Sequence, residues 1–154
     1  MRYIIFSTPT NPCCIWIPVI NTKGEEPGFT EAQAEARAWT TLPPDAINPR
    51  FIQSSDLTLD RDFRDAWKSD LTVDMQKARQ IHRQRLREKR QPLFDYLDAE
   101  YLRADENNNT ARKQLIAARK QALRNVPQDP AIDAAATPET LKTIIPVALT
   151  DPLP

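Results

Sequence analysis

The sequence predicts an α+β protein in which a small N-terminal β-rich unit of ββαβ-like order is followed by a helical hairpin and a short C-terminal helix. β-branched and aromatic runs cluster between residues 1 and 55, whereas apolar residues recur at helical spacing between residues 74 and 126. The chain of 154 residues contains 14 Pro and 2 Gly. It can therefore bury a modest core, and its loops should be stiff and extended.

The N-terminal unit, residues 1–55, is predicted as a β-rich docking domain. The runs "RYIIFS" (2–7) and "CCIWIPVI" (13–20) have strand composition and are joined by the turn sequence "TPTNP". Next, "FTEAQAEARAWTTL" (29–42) predicts a helix that starts after an N-cap at Thr30 and ends before two prolines. A third strand, "RFIQSS" (50–55), completes a sheet that this helix covers on one face.

The residues that usually carry chemistry are scarce. Gly24 and Gly28 are the only glycines, which excludes glycine-rich phosphate loops of the P-loop and dinucleotide kinds. His82 is the sole histidine, so a histidine-rich metal site is excluded. Cys13 and Cys14 are adjacent in the sequence and are expected to be free thiols, because a bridge between neighbours needs a strained turn. We expect no catalytic residues, no cofactor and no metal.

Residues 56–72 form an acidic, irregular segment that contains two aromatic residues, Phe63 and Trp67. Their spacing of four places them on one side of a helical turn. Two interpretations stay open. The rings could dock the segment onto the sheet or onto the following helix, or they could anchor a partner chain, as aromatic side chains do at interfaces.

Residues 73–126 predict an αα-hairpin. The first helix, 74–106, contains Pro92, and we expect a kink or a break just before it. The sequence "ENNNT" is the turn, with Thr110 as the cap of a second helix over 111–126. The apolar stripe expected on the second helix consists of Leu115, Ala118, Ala122 and Val126, flanked by Ile116 and Leu123.

Residues 127–154 are rich in proline. The sequence "PQDPAID" is expected to break the chain. "TPETLKTI" (137–144) predicts a short helix with Thr137 at the N-cap and Pro138 in the first helical position. The end, "IPVALTDPLP", is expected to be irregular, either as a frayed tail or as an extended arm that orders against a neighbour.

Charge is balanced overall and uneven locally. Lys plus Arg and Asp plus Glu number 21 each, so any electrostatic role must be local. Residues 77–90 are strongly basic, 92–106 are mostly acidic, and 111–126 contain five Lys or Arg and no acid. In an antiparallel hairpin the acidic half meets the start of the second helix, which provides partners for Arg112 and Lys113. The far end should keep a surplus of positive charge.

That surplus makes the far end the candidate partner-binding surface. It has three interpretations: a solvated face, a contact with an acidic protein or symmetry mate, or a nucleic-acid contact. The last is least favoured, because residues 77–90 contain no stacking aromatic apart from His82. The candidate residues are Phe63 and Trp67 with Arg83, Arg87, Arg90, Arg119, Lys120 and Arg124.

Membrane insertion is not expected. No apolar stretch approaches the ~20 residues that a membrane span requires. The start, "MRYIIFSTPTNPCC", has too short an apolar run for a signal peptide. We therefore expect a soluble protein that is made in the cytoplasm.

Two stretches resemble a known group of proteins. They are "FRDAW" followed by "VDMQKARQIHRQRLREKRQPLFDYLDAEYLRA", and "QALRNVPQDPAIDAAATPETLKTIIP". They are similar to small proteins encoded near the tail genes of tailed double-stranded DNA bacteriophages and prophages. The resemblance implies a non-enzymatic virion protein of the tail, baseplate or fibre region, or alternatively a tail-fibre assembly chaperone that is not retained in the particle.

The resemblance also implies partners and a location. The partners would be other tail or fibre proteins, and copies of the chain related by virion symmetry. The protein would be in the host cytoplasm during assembly and in the virion tail afterwards. On this hypothesis the N-terminal sheet docks through a strand edge, the hairpin contacts a second chain through its arginines, and Phe63 and Trp67 fix the angle between the two parts.

Overall fold

A computed structural model of the chain describes residues 2–19, 28–57 and 61–152. The chain divides into two compact units, Met1–Asp74 and Met75–Pro154. The first unit contains a three-stranded sheet and one α-helix, and the second is helical. The α+β class and the order of sheet followed by helices are confirmed. The segment 56–72 belongs to the first unit.

The sheet is antiparallel, with β1 (Arg2–Ser7) in the centre, β2 (Cys14–Trp16) on one side and β3 (Ile47–Gln53) on the other. β1 has the predicted bounds. β2 is shorter than expected and ends two residues before Pro18, which has no N–H to donate to a ladder; Ile20, the last residue of the predicted strand, lies outside the described residues. β3 begins three residues earlier than expected.

Helix α1 (Glu31–Thr40) has the predicted N-cap. The Thr30 hydroxyl accepts a hydrogen bond from the Gln33 backbone, and the Gln33 side chain accepts one from the Thr30 backbone. This reciprocal pair satisfies two N–H groups that the first turn leaves free. The helix ends before Pro43, as expected, and its buried Ala38 packs with Ile4 and Phe6 of β1.

Helix α2 runs from Met75 to Glu106 without a break, with Pro92 inside it. The alternative of a break at this proline is therefore wrong, and the alternative of a kink stays a prediction. Proline removes one backbone hydrogen bond, at a cost of ~3 kcal/mol. The helix has buried apolar residues on both sides of this position, including Leu86 and Leu97, and their packing offsets that local cost.

The turn of the hairpin lies at residues 107–109, and α3 runs from Thr110 to Asn125. Asn108 adopts a positive φ of 54°, as the asparagine-rich sequence predicted. The cap is Asn109, whose side chain accepts from the Arg112 backbone N–H, and not Thr110. The predicted stripe is wrong for Leu115, which is 61% exposed, and for Ala118, which is also exposed, whereas Val126 is buried as predicted. The buried side chains are Ile116 and Leu123, followed by Val126.

The C-terminal segment contains more regular structure than predicted. A 3₁₀ turn at Val126–Gln128 leads into α4 (Pro130–Ala134), which lies where a break was expected. Asp129 caps α4 by accepting from the Ala131 N–H. Helix α5 (Pro138–Thr143) has the predicted cap at Thr137. A further 3₁₀ turn, Val147–Leu149, lies within the end that was expected to be irregular.

Candidate functional site

Part of the basic run on α2 binds backbone carbonyls of later elements. Arg79 Nη2 donates to the Ala135 carbonyl at the end of α4, 2.9 Å away, and Arg83 Nε donates to the Pro127 carbonyl at 3.0 Å. Arg90 Nη1 donates to the carbonyls of Leu123 and Arg124 in the last turn of α3, at 2.9 and 3.0 Å. The C-terminal turn of a helix leaves carbonyls unpaired and carries partial negative charge. These three arginines therefore stabilise the helical unit itself.

His82 makes a contact of the same kind. Its Nε2 lies 3.0 Å from the Ile144 carbonyl oxygen at the end of α5, and the side chain is buried. Burial lowers the pKa of the imidazole, and the hydrogen bond with the Ile144 carbonyl partly opposes this effect. The nearby charges of Arg85, Lys89 and Arg83 lower the pKa further, so the net direction is down. The ring is therefore neutral at pH 7, with its proton on Nε2, which donates to the carbonyl.

The acidic half of α2 pairs with the start of α3, as predicted. Arg112 bonds to Glu100 at 3.1 Å, and Lys113 bonds to Asp105 at 2.5 Å. The guanidinium groups of Arg103 and Arg112 lower the pKa of Glu100. The Asp105 carboxylate raises the pKa of Lys113. These pairs fix the register of the two helices near the turn.

The predicted surplus of positive charge at the far end is reduced by three ion pairs among the described residues. Arg119 pairs with Asp151 and Lys120 pairs with Asp98. Arg83 pairs with Asp133 at 2.6 Å. Sequence reasoning missed Asp133 and Asp151 because they lie 50 and 32 residues from their partners. No local spacing rule connects residues so far apart in the chain.

Four of the basic side chains line a cavity, which we call the arginine cleft. Its volume is about 350 Å³. Three arginines come from α2 at helical spacing and one comes from the last turn of α3. The lining residues are Arg83, Arg87, Arg90, Arg124, Pro127, Gln128 and Asp133. The sequence predicted all four arginines as candidate partner-binding residues, and the structure brings them together.

The arginines of the cleft differ in their partners. Among the residues that the structure describes, the side chains of Arg87 and Arg124 have only glutamine contacts, to Gln84 and Gln121, at 3.4 Å each. Arg87, Arg90 and Arg124 form no ion pair with any carboxylate among the residues that the structure describes. The cleft therefore carries four guanidinium groups against the single carboxylate of Asp133, and it can bind an anion.

Phe63 and Trp67 are buried, at 0% and 3% exposure. Their segment is connected to the sheet region by two hydrogen bonds. The Ser69 N–H donates to the Pro12 carbonyl at 3.0 Å, and Arg50 Nη2 donates to the Ser69 carbonyl at 2.9 Å. This arrangement favours the docking interpretation over the anchoring of a partner chain, which requires exposed rings. A role of the two rings in setting an angle between the units stays a prediction.

The cysteines and the acidic side chains offer little further site chemistry in the described parts of the chain. Cys13 and Cys14 are free, half-buried thiols, and burial raises the pKa of both. Within residues 2–19, 28–57 and 61–152, no group of three or more His, Cys, Asp or Glu side chains has the arrangement of a metal site. Over the same ranges, no helix has both the length and the apolar character needed to cross a membrane.

Comparison with known proteins gives no match to a protein-family model, a curated protein or a solved structure. The similarity to phage tail proteins therefore stays a prediction from the quoted stretches. The function must be argued from the arginine cleft and the surface around it.

Proposed function

We propose that this protein acts by binding other proteins, as a non-enzymatic structural component of the tail, baseplate or fibre region of a tailed bacteriophage. The binding role is supported by the geometry of the helical unit. The virion setting is supported by the "FRDAW" and "TPETLKTIIP" stretches and the basic helix between them. The partners are other tail or fibre proteins, or copies of the chain related by virion symmetry.

The observation that carries the proposal is the unbalanced charge of the arginine cleft. The chain as a whole has a formal net charge of +0, so the surplus in the cleft is balanced by acids elsewhere and does not reflect a basic protein. Complementary charge at an interface sets the orientation and the choice of partner. A concave site with four arginines therefore suits an acidic protein surface.

A second surface lies at the edge of the sheet. β2 pairs only with β1 among the described strands, and its last residue, Trp16, is followed by exposed Ile17 and Val19. A strand edge with exposed apolar side chains can add a strand or a segment of another chain. The two surfaces give the protein one attachment point in each unit.

Quantitative mass spectrometry of purified phage particles from the producing host tests the proposal. The protein should be recovered at a fixed ratio to the known tail proteins, and it should remain after a wash in high salt that removes loosely bound host proteins. Absence from the particles together with abundance in the lysate would contradict a virion role and would favour the assembly-chaperone alternative. Affinity for duplex DNA that falls steeply with salt would favour the nucleic-acid alternative.

A further inference from the structure

We propose that the arginine cleft binds the carboxylate side chains of an extended acidic segment in a partner protein, and that an apolar cleft beside it binds the residues next to those acids. The inference rests on the proposed function, because it assumes a protein partner. It goes further by naming the chemistry of the segment that this partner presents.

The apolar cleft adjoins the arginine cleft. Its volume is about 330 Å³, and Gln128 lines both cavities. Its walls come from the end of α3, the start of α4 and the segment after α5. Most of its lining is small apolar side chains or proline, and the rest is polar: Ala122, Val126, Pro130, Pro146 and Ala148, beside Asn125, Gln128 and Asp129. A segment that fills both cavities combines acidic residues at one end with small apolar residues or proline at the other.

Asp133 shows how a carboxylate binds in the arginine cleft. Its Oδ1 accepts from Arg83 Nη2 at 2.6 Å, and both residues line the cavity. A guanidinium group presents a planar fork of N–H donors that matches a carboxylate. Arg87, Arg90 and Arg124 line the same cavity without a carboxylate among the described residues. Two or three acidic side chains from another chain can pair with these arginines as Asp133 pairs with Arg83.

The same features disfavour nucleic acid as the occupant. Proteins that bind single strands combine positive charge with aromatic side chains on which the bases stack. No aromatic residue lines either cavity in the part of the chain that the structure describes. The apolar cleft also offers no cation to a sugar-phosphate backbone. A peptide with acidic and apolar residues uses both cavities.

Fluorescence anisotropy on the full chain tests the proposal. The probe is a labelled peptide, Glu-Asp-Glu-Asp-Pro-Ala-Val-Pro, and its control is Gln-Asn-Gln-Asn-Pro-Ala-Val-Pro. The acidic peptide should bind at least about tenfold more tightly than the amide peptide. Its affinity should fall as salt is raised, because screening weakens exposed ion pairs. Equal affinities for the two peptides, or no binding of either, would overturn the proposal.

Matched variants locate the contact. Arg87→Gln and Arg124→Gln should each weaken binding several-fold and together at least about tenfold, since each removes a charge-assisted hydrogen-bond donor. Lys89→Gln removes one charge from an exposed position on the same helix outside the cleft and should bind as the parent does. Arg87 and Arg124 have only long glutamine contacts, so both variants should melt at the parent temperature. Parent-like affinity of the double variant would overturn the proposal, and so would tighter binding of inorganic phosphate or oligo-dT.

The two proposals fail in different ways. If the protein is present in particles and the double variant is incorporated at the parent ratio, the cleft is not the contact and the virion role stands. If the acidic peptide binds and depends on Arg87 and Arg124 while the protein is absent from particles, the cleft is correct and the virion role fails.

Discussion

Arg119 binds Asp151 through two atoms of its guanidinium group. Nη1 donates to Asp151 Oδ2 at 2.9 Å, and Nη2 donates to the Asp151 backbone carbonyl at 2.8 Å. The Arg119 side chain is only 11% exposed. The pair therefore fixes the end of the C-terminal segment to α3, and the segment provides acceptors for both terminal nitrogens of the guanidinium. Its Nε is buried without a hydrogen-bond partner among the described residues.

Asp151→Ala should reduce the free energy of unfolding by about 1–3 kcal/mol, because it leaves a buried donor without its charged acceptor. Backbone amides in the turn Val147–Leu149 should exchange with solvent faster than in the parent protein. Urea titration measures the first effect and hydrogen exchange with mass spectrometry measures the second. Asp45→Ala, at an exposed position in the first unit, should change neither, and unaltered exchange in Asp151→Ala would contradict the anchoring role.

His82 should make stability depend on pH. Burial lowers the pKa of His82 in the folded chain, so the unfolded chain takes up the proton first as the pH falls. The contribution of His82 to the free energy of unfolding should therefore have its full value above the usual histidine pKa. It should decline as the pH falls below that pKa. The decline ends once the pH is below the lowered pKa of the folded state. Urea titrations at about pH 7.5 and pH 5.5 span this window.

His82→Gln is the matched variant for that measurement. Its amide can donate to the Ile144 carbonyl in place of Nε2, yet it does not titrate. The loss of stability between the two pH values should be smaller in the variant than in the parent protein. An identical loss in both proteins would mean that another group is responsible.

Glu35 should make the stability of the protein depend on pH in a second, more acidic range. Its carboxylate accepts from Arg2 Nε, Nη2 and the backbone N–H, at 3.0, 2.6 and 2.7 Å. The side-chain and backbone hydrogen bonds from Arg2 hold the pKa of Glu35 below its usual range. The contribution of the Glu35 carboxylate to the free energy of unfolding has its full value above the usual glutamate pKa. It is lost as the pH falls through the lowered pKa of Glu35 in the folded chain. Acid titration of Glu35→Gln, followed by Trp fluorescence, should show a weaker dependence in that range.

Replacing Pro92 should stabilise the protein. The residue is exposed and lies inside α2, so Pro92→Ala restores a backbone hydrogen bond without disturbing the core. The expected gain is about 1–3 kcal/mol in the free energy of unfolding. Pro138→Ala, in the first turn of α5, should give no such gain, since proline suits that position. A lower melting temperature for Pro92→Ala would mean that the proline itself is needed.

The features that the sequence predicted correctly are local. The caps at Thr30 and Thr137 depend on a hydroxyl and on the backbone N–H three residues later, so a short window contains the whole interaction. The choice between Leu115 and Ile116 is different. Adjacent residues on a helix differ by ~100° in direction, and both directions offered an apolar stripe. Only the position of α2 against α3 decides which one is buried.

For the candidate site, the sequence predicted the arginines of the cleft but not the acids that pair with the basic helices. Arg83, Arg87 and Arg90 follow helical spacing in one run, and the hairpin brings Arg124 to them. The acids that reduce the charge of Arg83 and Arg119 lie in the segment after α3. Asp133 is in a stretch predicted as a break, and Asp151 is in an end predicted as irregular. Because that segment folds into α4, α5 and short turns, Asp133 and Asp151 reach the basic helices. The proline-rich composition of the segment favoured the prediction of a break, although proline is also common at the first position of a helix.

The unbroken path of α2 through Pro92 makes the helix a spacer of defined length. Its 32 residues rise by ~1.5 Å each, which gives a rod of about 48 Å. Arg87, in the cleft, and Glu106, at the hairpin turn, are separated by about 29 Å along that rod. A neighbour bound at one end is thereby kept at a set distance from a neighbour bound at the other. Removing seven residues would shorten that distance by about 10 Å with only a small rotation, whereas removing two would turn the ends away from each other.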